Sequence, residues 1–147
     1  MKRILLSLIF ILAVSLSIKA QQPTYEIGVI LGQPTGLSGK YWAGERTAFD
    51  AGASWSFSDA SFELYADILY HYSFIDMDEG VIPLYVGAGA VTFLRDDFAI
   101  GARFPFGLSY LFDDIPVSLF AEIAPIVEII PETGFTLNGG VGARFTF

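Results

Sequence analysis

From Tyr25 onward the chain alternates apolar and polar residues with a period of two, in eight segments: 25–32, 36–43, 47–57, 61–75, 81–94, 97–112, 115–130 and 135–147. Successive side chains of a β-strand point to opposite faces, so sorting each segment by parity sorts it by face. In 61–75 one face is Phe62, Leu64, Ala66, Ile68, Tyr70, Tyr72 and Phe74, against Glu63, Tyr65, Asp67, His71 and Ser73. In 135–147 it is Phe135, Leu137, Gly139, Val141, Ala143, Phe145 and Phe147, against Thr136, Asn138, Gly140, Gly142, Arg144 and Thr146. The other segments sort the same way. No apolar face carries a charge, whereas the opposite faces hold Glu26, Lys40, Asp50, Glu63, Asp67, Arg103, Glu122, Glu128 and Arg144.

The connections are short and built from turn-forming residues: Gln33-Pro34, Gly44-Glu45-Arg46, Ser58-Asp59, Asp76–Gly80, Arg95-Asp96, Asp113-Asp114 and Pro131–Gly134. Glycine and proline set the backbone angles of such turns, and Asp and Asn side chains bond back to the chain. No segment after residue 20 has a helical period, and 147 residues suffice for one domain. The pattern therefore predicts an all-β fold: an eight-stranded antiparallel up-and-down β-barrel with short turns at both ends. Pro105 and Pro125 fall inside strands, where each removes a ladder hydrogen bond, although the parity is unchanged on either side of them.

A sheet with one uncharged face has two settings. In a soluble barrel the apolar face points inward; in a membrane barrel the faces invert and it meets lipid. The amino terminus favours the second. Lys2 and Arg3 precede an apolar core from Ile4 to Leu16, and Ser17-Ile18-Lys19-Ala20 ends in a small residue. This is the form of a cleavable secretory signal, with cleavage expected between Ala20 and Gln21 and a mature domain of 21–147. The charged face is rich in Gly and Ser, which suits a narrow interior. Aromatic residues gather near strand ends (Tyr25, Trp55, Phe57, Phe62, Phe74, Phe98, Phe112), as interfacial girdles do. A basic charge on the lipid face at the bilayer midplane costs about 2–4 kcal/mol, which explains its exclusion there. The expectation is a transmembrane barrel of the bacterial outer membrane, with outer-membrane lipid as its surroundings.

An eight-stranded barrel is just wide enough for its own side chains to fill it. Buried charges persist only when paired and hydrogen-bonded. Arg103 and Arg144 are expected to bridge acids from neighbouring strands in a luminal ion-pair network that plugs the interior. With six acids against three bases in that set, some carboxylates must be protonated, wet or near an end.

The signal sequence, the eight alternating segments and the terminal Val141-Gly142-Ala143-Arg144-Phe145-Thr146-Phe147 together resemble small bacterial outer-membrane barrels of the OmpA transmembrane-domain type. The resemblance implies that Phe145 and Phe147 form the carboxy-terminal signal read by the barrel-assembly machinery, a partner during biogenesis. The stretch Gly32-Gln33-Pro34-Thr35-Gly36-Leu37-Ser38-Gly39-Lys40-Tyr41-Trp42 is similar to a segment of a poorly characterised family of small spirochaete outer-membrane barrels. Of activity such a resemblance implies little: some small barrels are structural, some bind host proteins, and a few modify lipid. With a periplasmic amino terminus the external loops are 33–35, 58–60, 95–96 and 131–134, short for loop-based adhesion.

Little in the sequence carries chemistry. Cysteine is absent, which excludes disulfides, thiolate zinc sites and lipoprotein anchoring, and a single histidine excludes a multi-histidine metal site. No metal and no cofactor is expected. Removal of residues 1–20 leaves five basic against sixteen acidic groups, a charge of −11, which argues against nucleic acid as a partner. His71 and Ser73 project from one face at i, i+2, as in the His-x-Ser element of outer-membrane lipid A deacylases, yet parity turns both toward the lumen and Phe74 stands where Asn usually follows. Glu122 and Glu128 share a face at a separation of about 20 Å, against roughly 5–9.5 Å in glycosidases. The acidic turns Asp76, Asp78, Glu79, then Asp96-Asp97 and Asp113-Asp114 lack calcium-loop spacing, and the glycine clusters lack a phosphate-loop lysine. The first expectation is a monomeric, non-enzymatic barrel giving envelope structure or a surface for a host or envelope protein. The alternatives are a lipid-modifying enzyme using His71 and Ser73, a narrow channel, and a soluble ligand-carrying barrel.

Overall fold

The computed structural model describes residues 25–57 and 60–147; the signal segment and its cleavage site at Ala20 and Gln21 lie outside the described residues, as do Ser58 and Asp59. The chain forms nine strands: β1 (Tyr25–Gln33), β2 (Thr35–Trp42), β3 (Thr47–Ser56), β4 (Ser61–Met77), β5 (Gly80–Leu94), β6 (Phe98–Arg103), β7 (Phe106–Phe112), β8 (Val117–Ile130) and β9 (Gly134–Thr146). All pairings are antiparallel, and β1 pairs with β9 from Glu26↔Thr146 to Gln33↔Gly139, so the sheet closes on itself. Reciprocal backbone bonds between Tyr25 and Phe147, 3.0 and 2.8 Å, extend that seam.

The count differs from the eight segments read in the sequence because 97–112 is divided at Phe104-Pro105. Proline has no N–H to give the ladder, so strand pairing lapses around it. β6 and β7 nevertheless lie end to end between the same neighbours, β5 and β8, as one interrupted stave. The register on the β8 side is the same before and after the break, Arg103↔Ile126 and then Phe106↔Ile123, in keeping with the constant parity.

Burial settles the orientation of the two faces. The uncharged face points out: Ile27, Leu37, Ile68 and Val141 are 58%, 57%, 55% and 59% exposed. The charged face points in, with Glu26, Lys40, Asp50, Glu63, Asp67, His71, Arg103, Glu122 and Arg144 all buried. The apolar face therefore does not point inward, the orientation that the soluble-barrel alternative assumed. Among the described residues two apolar clusters share the interior, Ala48 with Leu69 and Tyr85, and Tyr65 with Val91, Phe93, Ala99 and Ile126.

Two register shifts interrupt the ladders, one between Ile100 and Gly101 on the β6–β8 side and one that reorders the end of β4. The β4–β5 register shifts between His71 and Ser73, so that His71 faces Tyr85, Ser73 faces Leu84 and Phe74 faces Pro83. Tyr72 is the extra residue of a β-bulge, which reverses the parity of the residues after it. Arg46, from the β2–β3 turn, clamps the bulge by donating from Nη1 to the Tyr72 carbonyl at 3.2 Å.

Candidate functional site: the luminal charge network

Three inward stacks organise the interior. In each, a glycine on one strand faces an aromatic residue on the next: Gly52 with Tyr65, Gly107 with Tyr85, and Gly142 with Phe120. A Cβ on any of these glycines would stand 2.4–2.5 Å from the ring or its hydroxyl, so only glycine admits the aromatic side chain there. Each ring then carries a cation. Arg103 lies 4.1 Å from the Tyr65 ring centre, Arg144 3.8 Å from Phe120, and the Lys40 ammonium 5.1 Å from Tyr85 and 4.3 Å from Trp42. The ring faces are electronegative and add an attraction that strengthens as water is removed.

The acids complete these stacks. Arg103 bonds Glu122 through Nη2 at 2.5 Å and Asp67 through Nη1, and the Tyr85 hydroxyl donates to Glu122 at 2.8 Å. Arg144 donates to the Ser38 hydroxyl from Nε at 3.0 Å and from Nη2 at 2.7 Å, and pairs with Asp50 at 3.3 Å. The expectation that both arginines bridge neighbouring strands is corrected in part. Glu122 on β8 does adjoin β6, but Asp67 is on β4, beyond β5, and Asp50 on β3 is not adjacent to β9. A long guanidinium in a narrow ring reaches across the lumen as readily as along its wall.

The surplus acids are held by other donors. Glu26 accepts from Trp42 Nε1 at 2.6 Å and from the Ser118 hydroxyl at 2.5 Å. Glu63 accepts from the Asn138 amide at 2.8 Å. Glu128, toward one end, pairs at 2.5 Å with Arg95 of the β5–β6 connection. Trp42, Tyr65, Tyr85, Asn138 and Arg95 were therefore absent from the sequence reading of the network. All five lie on the inward parity of their segments, or continue it, which was the available signal. Beside Arg103, Glu122 and Asn138 is a cavity of about 10 Å³, about the space of one water molecule. Arg103 Nε, Asp67 Oδ1 and the hydroxyls of Ser54 and Ser109 are buried without a hydrogen-bond partner.

The pairing of His71 with Ser73 on one face is corrected. The bulge at Tyr72 leaves His71 inward and turns Ser73 to the side of Leu84. Both imidazole nitrogens are occupied: Nδ1 lies 3.0 Å from the Arg46 carbonyl and Nε2 2.9 Å from Lys40 Nζ. A carbonyl only accepts, so Nδ1 carries the hydrogen and, in a neutral ring, Nε2 accepts from Lys40. Phe74 moves to the inner rim, its ring centre 6.2 Å from that of His71, rather than into the outer aromatic set. Phe145 pairs with Ile27 on the outer face, and Phe147 packs against Tyr25 with ring centres 6.1 Å apart. Among the described residues no three His, Asp or Glu side chains are grouped as a metal site requires.

No family model matches the chain, and no curated protein matches it. The fold is shared with the N-terminal β-barrel domain of Pseudomonas aeruginosa OprF, at a TM-score of 0.60 and 18% identity over 84% of this chain and 95% of that one. The likeness supports the barrel architecture; the eleven-residue likeness to spirochaete barrels finds no support in these comparisons.

Proposed function

We propose that the chain is an integral outer-membrane β-barrel of eight staves, without catalytic activity, whose interior is plugged by its own ion pairs and whose role is structural or that of a limited interaction surface. The observation that carries this reading is the inversion of the ring: charge is buried and aliphatic side chains are exposed on every side. A soluble protein rarely exposes contiguous apolar patches beyond a few hundred Å², whereas a lipid-facing belt requires one.

Three further features agree. The staves run from 8 residues in β2 to 17 in β4, β6 and β7 counted as one, and all but β2 reach the roughly 9–11 residues that a tilted membrane strand needs. Outward aromatic residues mark both ends of the belt: Trp55, Phe57, Phe62 and Phe135 at one, Tyr25, Tyr41 and Tyr70 at the other. Among the described residues the closed ring leaves no strand with an unpaired edge to lipid. In this reading the chain is exported through a cleaved signal, inserted by the assembly machinery through Phe145 and Phe147, and held as a monomer among outer-membrane lipids. Its short turns make a host or envelope partner a matter of turn surfaces rather than long loops.

Fractionation with a heat-modifiability gel tests it. The protein is expected in the outer-membrane pellet, migrating as a compact band that shifts on boiling. A chain that stays in the detergent-free supernatant overturns the reading. Planar-bilayer recordings are expected to show no conductance steps, and deletion to leave the lipid A pattern unchanged. Steps would favour the channel, and an altered pattern lost in His71→Ala would favour the enzyme.

A further inference from the structure

The wall of the ring is not uniform. Pairing between β1 and β2, β2 and β3, β3 and β4, β1 and β9, and β8 and β9 runs residue for residue. The β6–β7 stave differs on both sides. Against β5 the pairing lapses between Val81↔Leu111 and Leu84↔Leu108, and again between Val86↔Phe106 and Gly89↔Arg103. Against β8 it lapses between Phe106↔Ile123 and Arg103↔Ile126, and the register slips by one between Gly101↔Glu128 and Ile100↔Ile130.

A proline lies in each gap. Gly87 donates to the Pro105 carbonyl at 2.8 Å, but Pro105 has no N–H to return the bond. Phe104 donates to the Pro125 carbonyl at 2.9 Å, and Pro125 returns none. Backbone groups alternate in direction along a strand, so Pro83, four residues before Gly87, also turns its missing donor toward the stave, opposite Ser109. The other described prolines, Pro34, Pro116 and Pro131, stand in connections. Three absent donors thus fall on the two seams of one stave. Each absent donor is one rung fewer between the stave and its neighbours, so the missing donors gather on a single stave, whereas the β-bulge at Tyr72 on the β4–β5 seam involves no proline.

We infer that this stave is a lateral gate: Phe104–Phe112 parts from β5 and β8 before any other part of the wall, and opens the inner face around Ser109 and Tyr85 sideways. That the phase outside is lipid rests on the function proposed above; the parting itself does not. Ser109 is buried and its hydroxyl is unpartnered, so no side-chain bond of its own holds it in the lumen.

Amide hydrogen exchange on the unaltered chain in phospholipid nanodiscs tests the inference. Amides of β7 are expected to exchange about tenfold faster than those of β2 and β3, the scale of one or two lost rungs. The absence of cysteine allows a second readout. Ser109→Cys is expected to react with an apolar maleimide faster than Ala48→Cys, which is equally buried on β3, and Pro83→Ala with Pro125→Ala is expected to slow that reaction. Equal exchange around the ring, or equal labelling at the two positions, overturns the gate. A chain that will not enter nanodiscs counts against the membrane reading alone, since the same exchange comparison in buffer still decides whether the stave parts.

Discussion

Arg103 and Arg144 sit in the same lumen, each nearly inaccessible, each laid on an aromatic ring, yet they are held in opposite ways. Arg103 faces two carboxylates, Asp67 and Glu122, and its Nε is left without a partner. Arg144 faces one carboxylate, Asp50, at a looser 3.3 Å, and gives two bonds to the Ser38 hydroxyl instead. The difference teaches that one lumen can hold a buried cation by either means, by surplus carboxylates at the cost of an unmet donor or by hydrogen bonds to a neutral hydroxyl beside a single acid. Around Arg103 the excess lies with the acids, and around Arg144 the single acid depends on the arginine.

Removal of the arginines exposes this contrast most strongly. Breaking a buried pair by deleting one partner costs about 3–5 kcal/mol, because the other charge stays behind. Arg103→Met strands two carboxylates and is expected to cost about 5 kcal/mol, against about 3 kcal/mol for Arg144→Met, read as the urea midpoint of the compact gel band. Equal shifts would show that the second acid adds nothing. The acids should invert the order. Asp50→Asn leaves Arg144 without a carboxylate and is expected to lower stability by about 3 kcal/mol, while Asp67→Asn leaves Arg103 with Glu122 and costs about 1 kcal/mol. A larger loss at Asp67 than at Asp50 would break the comparison. Tyr85→Phe is expected to cost about 1.5 kcal/mol for one bond to a charged acceptor, a change comparable to that at Asp67, and it tests whether Glu122 needs a donor besides Arg103.

Parity names the face of a residue but not its angle around the ring. This is why the alternation from Tyr25 to Phe147 foretold a closed antiparallel sheet and separated apolar from charged side chains, while partners such as Arg144 and Asp50, 94 residues apart, were hidden. Neutral donors were hidden for another reason: Trp42 and Asn138 look like ordinary members of their strands until an acid is seen to face them. The bulge at Tyr72 has no signature in the alternation. His71, Tyr72, Ser73 and Phe74 read as unbroken pattern, and only pairing with β5 shows that the count slips by one. Pro105, in contrast, was visible as an anomaly, and the division of β6 from β7 is its consequence.

The seam between β1 and β9 joins the first and last strands of the described ring, and Glu26 accepts its bond from Ser118, 92 residues away. A contact of that span forms only after the intervening chain has been drawn together, which places this fold among the topologies that assemble late and slowly. Until β9 arrives, the nascent sheet has two raw edges, β1 and β8, and Asp50 lacks the guanidinium of Arg144. The final thirteen-residue strand therefore acts as a keystone in time as well as in space: a chain halted before it is an open, sticky sheet, and its addition covers both edges and brings Arg144 to Asp50 in a single step.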